Sequence, residues 1–191
     1  MTRLVDRGAI VAAYVGIGMA VTIGVSFLLV IPIEPIVTWL ALPAGLTIGY
    51  YANQRSNRVA GPIRRIVANA VYAGLVTGLA TGLLFLAVKG LFFAADNGYR
   101  DPGLGGQITC STGADCVYQR YLEGPQGSEL AGAGVTDAAS FSSFYWNQQL
   151  SSAATIVLLT TIGGLGGGLI YRVARPRPGS MVVDREPIEA K

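Results

Sequence analysis

The chain has 191 residues, of which 51% are hydrophobic and 13% are charged, and its formal net charge is +3 at pH 7. Soluble domains average about 25% charged residues, and here the charges are also absent from long segments, which excludes a soluble globular fold. The segments without a formally charged side chain are 8–33, 35–54, 66–88 and 138–171. The lack of histidine excludes imidazole catalysis, His-ligated haem and most copper and zinc sites.

The uncharged segments predict an all-α membrane protein with four transmembrane helices arranged as two hairpins. About 20 apolar residues cross a hydrocarbon core of about 30 Å, and a backbone in lipid must satisfy its own hydrogen bonds. We expect spans at about residues 9–31, 36–53, 65–92 and 148–171.

Pro32 and Pro35 separate the first two spans, because two prolines three residues apart disfavour a continuous helix. Glu34, between them, favours the headgroup region. A cleaved signal peptide is the alternative interpretation of the first span. Its apolar run is longer than the usual 7–15 residues of such a signal, so we expect it to stay in the membrane.

The basic residues predict the orientation. They concentrate before the first span, between the second and third, and after the fourth, whereas the segment between the third and fourth is acidic. Basic residues near helix ends mark the cytoplasmic side, so we expect both termini there, in the cell membrane. The net positive charge therefore does not indicate nucleic-acid binding.

The arginine cluster between the second and third spans determines the topology, and its pattern also allows it to bind anionic lipid headgroups. It consists of Arg55, Arg58, Arg64 and Arg65.

Small residues recur every four positions in three of the predicted spans. This spacing places them on one helix face, where they let neighbouring backbones approach closely in lipid. Two interpretations stay open: the stripes pack the helices of one chain together, or at least one stripe contacts another subunit. The candidate packing and partner positions are Gly16, Gly24, Gly74, Gly78, Gly82, Gly163, Gly164, Gly167 and Gly168.

Lys89 is the candidate functional charge, since it follows a long uncharged stretch of the third span. An ionisable group inside a membrane segment is by default a functional hypothesis. Lys89 is also close to the outer end of its helix, where its stem can reach the headgroups or an ion pair with Glu34 or Asp96. The alternative is that Lys89 binds an anion or a substrate. A serine–lysine hydrolytic dyad has no supporting motif.

Residues 95–147 form a polar, glycine-rich segment that we expect to be extracytoplasmic. It contains Cys110 and Cys116, and an oxidising compartment favours a disulfide between them. A zinc site is the alternative, but two thiols without histidine are a poor ligand set. A redox-active pair is another, although such pairs are usually spaced as C-x-x-C.

The same segment predicts two helical elements. Asp115 to Leu122 can form a short helix that ends at Gly124. A second helix begins near Thr136, with Thr136 or Asp137 as its cap, and either extends the fourth span or lies on the membrane surface. The tail, 172–191, contains prolines and mixed charge and is predicted to be disordered and cytoplasmic.

These features predict a non-catalytic protein without cofactor or metal. No carboxylate occurs inside a span as a proton relay, and no phosphate-binding glycine loop with its lysine is present. We expect an accessory, assembly or scaffold subunit of a larger membrane complex, with lipids and other membrane subunits as its partners. A small oligomeric transporter or channel, with a glycine-lined path and Lys89 near its outer mouth, is the alternative.

Overall fold

The computed structural model describes residues 5–29, 34–56, 62–95 and 113–174, and these ranges are helical with short connections. Three of the helices are long and apolar enough to span a membrane, namely α1, α3 and α6. The helices are α1 (Arg7–Leu29), α2 (Glu34–Arg55), α3 (Ile63–Ala95), α4 (Ala114–Glu123), α5 (Gly127–Gly132) and α6 (Ala138–Ala174).

The second helix differs from the other three in hydropathy. It contains 22 residues, which is enough to cross a bilayer, and Pro35 lies in its first turn, where the missing proline N–H costs no helical hydrogen bond. Its C-terminal half carries Tyr50, Tyr51 and Asn53, which lower its hydropathy. Apolar character alone therefore supports three of the four predicted spans.

The long helices form one bundle with alternating directions. The helix α2 runs parallel to α6, since Gly45 faces Thr160 and Gly49 faces Gly164. The helix α3 runs antiparallel to α6, and α1 packs against both α2 and α3. Because α2 contacts the middle of α6, it lies at the same level along the bundle axis as the apolar helices.

Two helices are longer than a bilayer core requires. The helix α6 has 37 residues and α3 has 33, which correspond to about 55 Å and about 50 Å. The helix α6 continues without a break from Ala138, so residues 138–150 extend the last of the three apolar helices outward. Its first turns support α4 and α5, and we call α4, α5 and the start of α6 the aromatic cap.

Candidate functional site

Glycines bring α2 and α3 into backbone contact with α6, and we call these two contacts the glycine seam. A Cβ on Gly164 would lie 2.7 Å from the carbonyl oxygen of Ala70, and one on Gly74 would lie 2.8 Å from that of Thr160. A Cβ on Gly167 would collide with the carbonyl of Leu46. Since these contacts are between backbones, α6 packs directly on both α2 and α3 at this level of the bundle.

The other singled-out glycines also contact helices of the same chain. Gly16 faces Thr77, and Gly24 faces the side chain of Leu84. The remaining positions pack in the same way within the bundle: Gly78 on Val157, Gly82 on Ala153, Gly163 on Leu42, and Gly168 on Ala70. These contacts favour the interpretation in which the stripes serve packing within one chain.

Sequence analysis missed the stripe on α2. Ala41, Gly45, Gly49 and Asn53 are spaced four residues apart and face the interior, and all four are buried. The spacing was available as a signal, but the lower hydropathy of α2 obscured it. Gly18, in contrast, has no atom within 4 Å of its Cβ position and faces away from the bundle.

A polar cluster joins three helices at the end of the bundle that carries the arginines. Asn69 accepts a hydrogen bond from the backbone N–H of Asp6 at 2.9 Å, and its Nδ2 donates to Asp6 Oδ2 at 2.9 Å. Asn69 Nδ2 also lies 3.4 Å from Ser56 Oγ, and Arg65 Nη1 lies 3.9 Å from Asp6 Oδ1. Asn53 Nδ2 donates to the carbonyl of Ile66 at 3.1 Å.

We call this region, with the guanidinium groups around it, the arginine end. Of the predicted cluster, Arg55 and Arg64 are exposed, Arg65 approaches Asp6, and Arg58 lies outside the described ranges. Sequence analysis missed Asp6, although an acid between two arginines at the start of an apolar helix is a signal for such a pair.

Lys89 lies at the opposite end of the bundle and faces its interior. Its Nζ is 5.8 Å from the ring centroids of both Phe27 and Phe85, which stack on each other at 5.6 Å. A cation at this distance from an aromatic face is attracted by the ring quadrupole. Gln149 is 1% exposed, and its Oε1 has no hydrogen-bond partner within the described part of the chain. Gln149 lies one turn from Ala153, which packs with Phe85 in the same core.

The aromatic cap is a second hydrophobic core beyond the apolar middle of the bundle. Phe141 is fully buried and contacts the rings of Tyr118 and Tyr121 at 5.4 Å and 5.1 Å. Phe93 of α3 stacks on Tyr145 at 4.8 Å, so the cap is held by both long helices. The buried and partly buried members are Val117, Leu130, Val135, Phe141, Tyr145, Phe93, Tyr118, Tyr121, Phe144 and Trp146.

The predicted disulfide stays a prediction. Cys116 is fully buried in α4, whereas Cys110 lies outside the described residues. The predicted short helix, Asp115 to Leu122, agrees closely with α4, which ends at Glu123 with Gly124 as its C-cap.

Asp137 caps α6, as one of the two predicted candidates. Its Oδ1 accepts a hydrogen bond from the backbone N–H of Ser140 at 2.7 Å, and Ser140 Oγ accepts one from the N–H of Asp137 at 3.2 Å. The hydrogen bonds from Ser140, the backbone one first, lower the pKa of the Asp137 carboxyl below its usual value of 3.8.

No known protein family, curated protein or solved structure matches this chain.

Proposed function

We propose that this chain is a non-catalytic integral membrane protein that serves as an accessory, assembly or scaffold subunit of a larger membrane complex. The observation that carries the proposal is the aromatic cap. The helices α3 and α6 extend beyond the length of a bilayer core and hold an aromatic-rich domain at their ends. A folded domain held beyond the apolar part of the bundle is suited to contact with another protein.

The proposal includes four crossings. The crossing that hydropathy alone does not support is that of α2. Its packing along α6 and α1, at the same level as the apolar helices, favours a membrane crossing there. A helix that packs against the three apolar helices at the same level shares their environment. Each crossing reverses direction, so both termini lie on one side.

We infer a cytoplasmic location for the arginine end and a location in the cell membrane. Arg7, Arg55, Arg64 and Arg172 lie at that end, whereas Asp115 and other acids of the cap lie at the opposite end. This asymmetry follows the positive-inside rule. Single cysteines introduced at Arg172 and at Ser128, in a background without Cys110 and Cys116, should react oppositely with a membrane-impermeant maleimide in intact cells.

The test of the accessory role is crosslinking in native membranes, followed by purification in mild detergent and mass spectrometry. We expect crosslinks from the cap to one partner in constant stoichiometry. Leu122 is 48% exposed on α4, and Leu122→Glu should reduce that yield. Ser128→Glu adds the same charge at an exposed position of α5 and is the matched control. A strictly monomeric protein without crosslinks would contradict the role.

A transporter or channel is the second candidate, and the position of the Lys89 ammonium over the rings of Phe27 and Phe85 favours it. The backbone contacts of the glycine seam oppose a path through one chain, so a path would have to lie between subunits. Reconstituted flux that is lost in Lys89→Ala and kept in Lys89→Arg would support this candidate. Flux absent for all tested ions and small solutes would remove it.

A further inference from the structure

The arginine end presents exposed guanidinium groups from every long helix. Arg7 begins α1, Arg55 ends α2, Arg64 lies in the first turn of α3, and Arg172 lies in the last turn of α6. All four side chains are exposed. Such a group of like charges raises the local electrostatic potential and attracts anions.

The nearby carboxylate of Asp6 faces the interior of this end. Its side chain is 13% exposed, its Oδ2 accepts a hydrogen bond from Asn69, and its Oδ1 lies 3.9 Å from Arg65 Nη1. Arg65 therefore approaches this carboxylate, whereas Arg55 and Arg64 are exposed.

Contacts between the helix ends place several of these arginines on one surface. Gly8 packs against the backbone of Arg55 and Ser56, so the start of α1 lies directly beside the end of α2. Asn69 and Asp6 link the start of α3 to the same point.

Two tyrosines near this surface are typical of the depth of lipid headgroups. Tyr50 and Tyr171 form an edge-to-face pair at 5.3 Å near this end, and tyrosines are enriched at membrane–water interfaces. The phosphate of a lipid is held at this same depth, and a guanidinium group binds phosphate through two parallel hydrogen bonds.

We propose that the arginine end binds the headgroup of an anionic phospholipid, with Arg55 and Arg64 as its principal contacts and Arg7 beside them. The dominant attraction is between the guanidinium groups and the net negative headgroup, so a zwitterionic lipid binds less well. The site is independent of the accessory role, since it needs no protein partner.

The test uses the full chain in nanodiscs of equimolar phosphatidylglycerol and phosphatidylcholine with identical acyl chains. The protein is released from the nanodiscs, and native mass spectrometry then counts the lipid molecules that remain bound to it. We expect phosphatidylglycerol to be enriched, and the double variant Arg55→Gln/Arg64→Gln to lower the retained ratio roughly tenfold. Arg55→Lys/Arg64→Lys keeps the charge and should keep much of the enrichment.

Gln119→Glu/Ser128→Glu is the matched control, because it lowers the net charge equally at exposed positions of the cap. We expect it to leave the ratio unchanged. Equal retention of both lipids by the unsubstituted chain, or an equal fall in the control, would overturn the proposal. Thermal stabilisation by inorganic phosphate as large as that by phosphatidylglycerol vesicles would also overturn it, by indicating a site for a small anion.

Discussion

Asn69 of α3 and Asp6, immediately before α1, exchange two hydrogen bonds of 2.9 Å across a separation of 63 residues in the chain. Asn69 is fully buried, so its amide has little access to water. The pair joins the start of the first helix to the third, and Ser56 adds the end of the second. Three helix ends are thereby held by one side-chain amide.

Asn69→Leu should destabilise the bundle by about 2–3 kcal/mol, because the partly buried carboxylate of Asp6 loses a charge-assisted hydrogen bond and its backbone N–H loses an acceptor. Reversible unfolding in mixed detergent and SDS micelles measures this. Thr47→Val is the control, since the exposed Thr47 hydroxyl donates only to the carbonyl of Pro43 in its own helix. An equal loss of unfolding free energy in Asn69→Leu and Thr47→Val would contradict a special stabilising role of the Asn69–Asp6 pair.

Gly167→Ala should destabilise the protein by roughly 3 kcal/mol, because its Cβ would collide with the carbonyl of Leu46 and lie 2.8 Å from the backbone nitrogen of Tyr50. Neither backbone atom can move without separating α2 from α6. Gly18→Ala is the matched substitution at an open position, and we expect it to be neutral or stabilising. Thermal unfolding in detergent compares them, and a neutral Gly167→Ala would refute the close contact.

Acidification should fray the start of α6. The Asp137 carboxylate accepts hydrogen bonds from Ser140, and its pKa is lowered in the folded state. The capping contribution is therefore complete above the usual pKa of 3.8 and is lost as the pH falls through the lowered folded-state pKa. The protection factor of the Ser140 amide, which compares its exchange rate with that of an unstructured peptide at the same pH, should fall in that acidic window. In Asp137→Ala this protection factor should already be low at neutral pH, whereas a protection factor that does not change with pH would contradict the cap.

Phe141→Ala should release the aromatic cap, at a cost of about 3–5 kcal/mol, because a fully buried ring is lost beside Tyr118 and Tyr121. Trypsin cleavage after Arg120 in α4 reports this locally, and the rate should rise strongly. Leu122→Ala is the control, since Leu122 is about half exposed. If both variants were cleaved at the rate of the unsubstituted chain, the cap would not depend on Phe141.

The predicted bridge between Cys110 and Cys116 has a direct chemical test. In protein isolated without reductant, a thiol-alkylating reagent should add no mass after denaturation. Reduction should then allow two additions, because the chain has two cysteines. Alkylation without prior reduction would rule out the disulfide and leave two thiols.

Local features of the sequence determined the helical content and many of the helix ends. Long uncharged segments require helices in lipid, Pro35 begins α2, Gly124 ends α4 and Asp137 caps α6, and each of these effects acts within a few residues. The small-residue spacing likewise placed candidate glycines on common helix faces. It could not say which faces meet, since every small face offers a similar close approach.

Only the tertiary structure decided which faces pair. It placed Gly45 and Gly49 of the less apolar α2 against α6, joined Asp6 to Asn69, and turned Lys89 toward Phe27 and Phe85. These contacts depend on how each helix is rotated and shifted against its neighbours. That choice is made by the summed packing of the whole bundle, which periodicity along one helix does not encode.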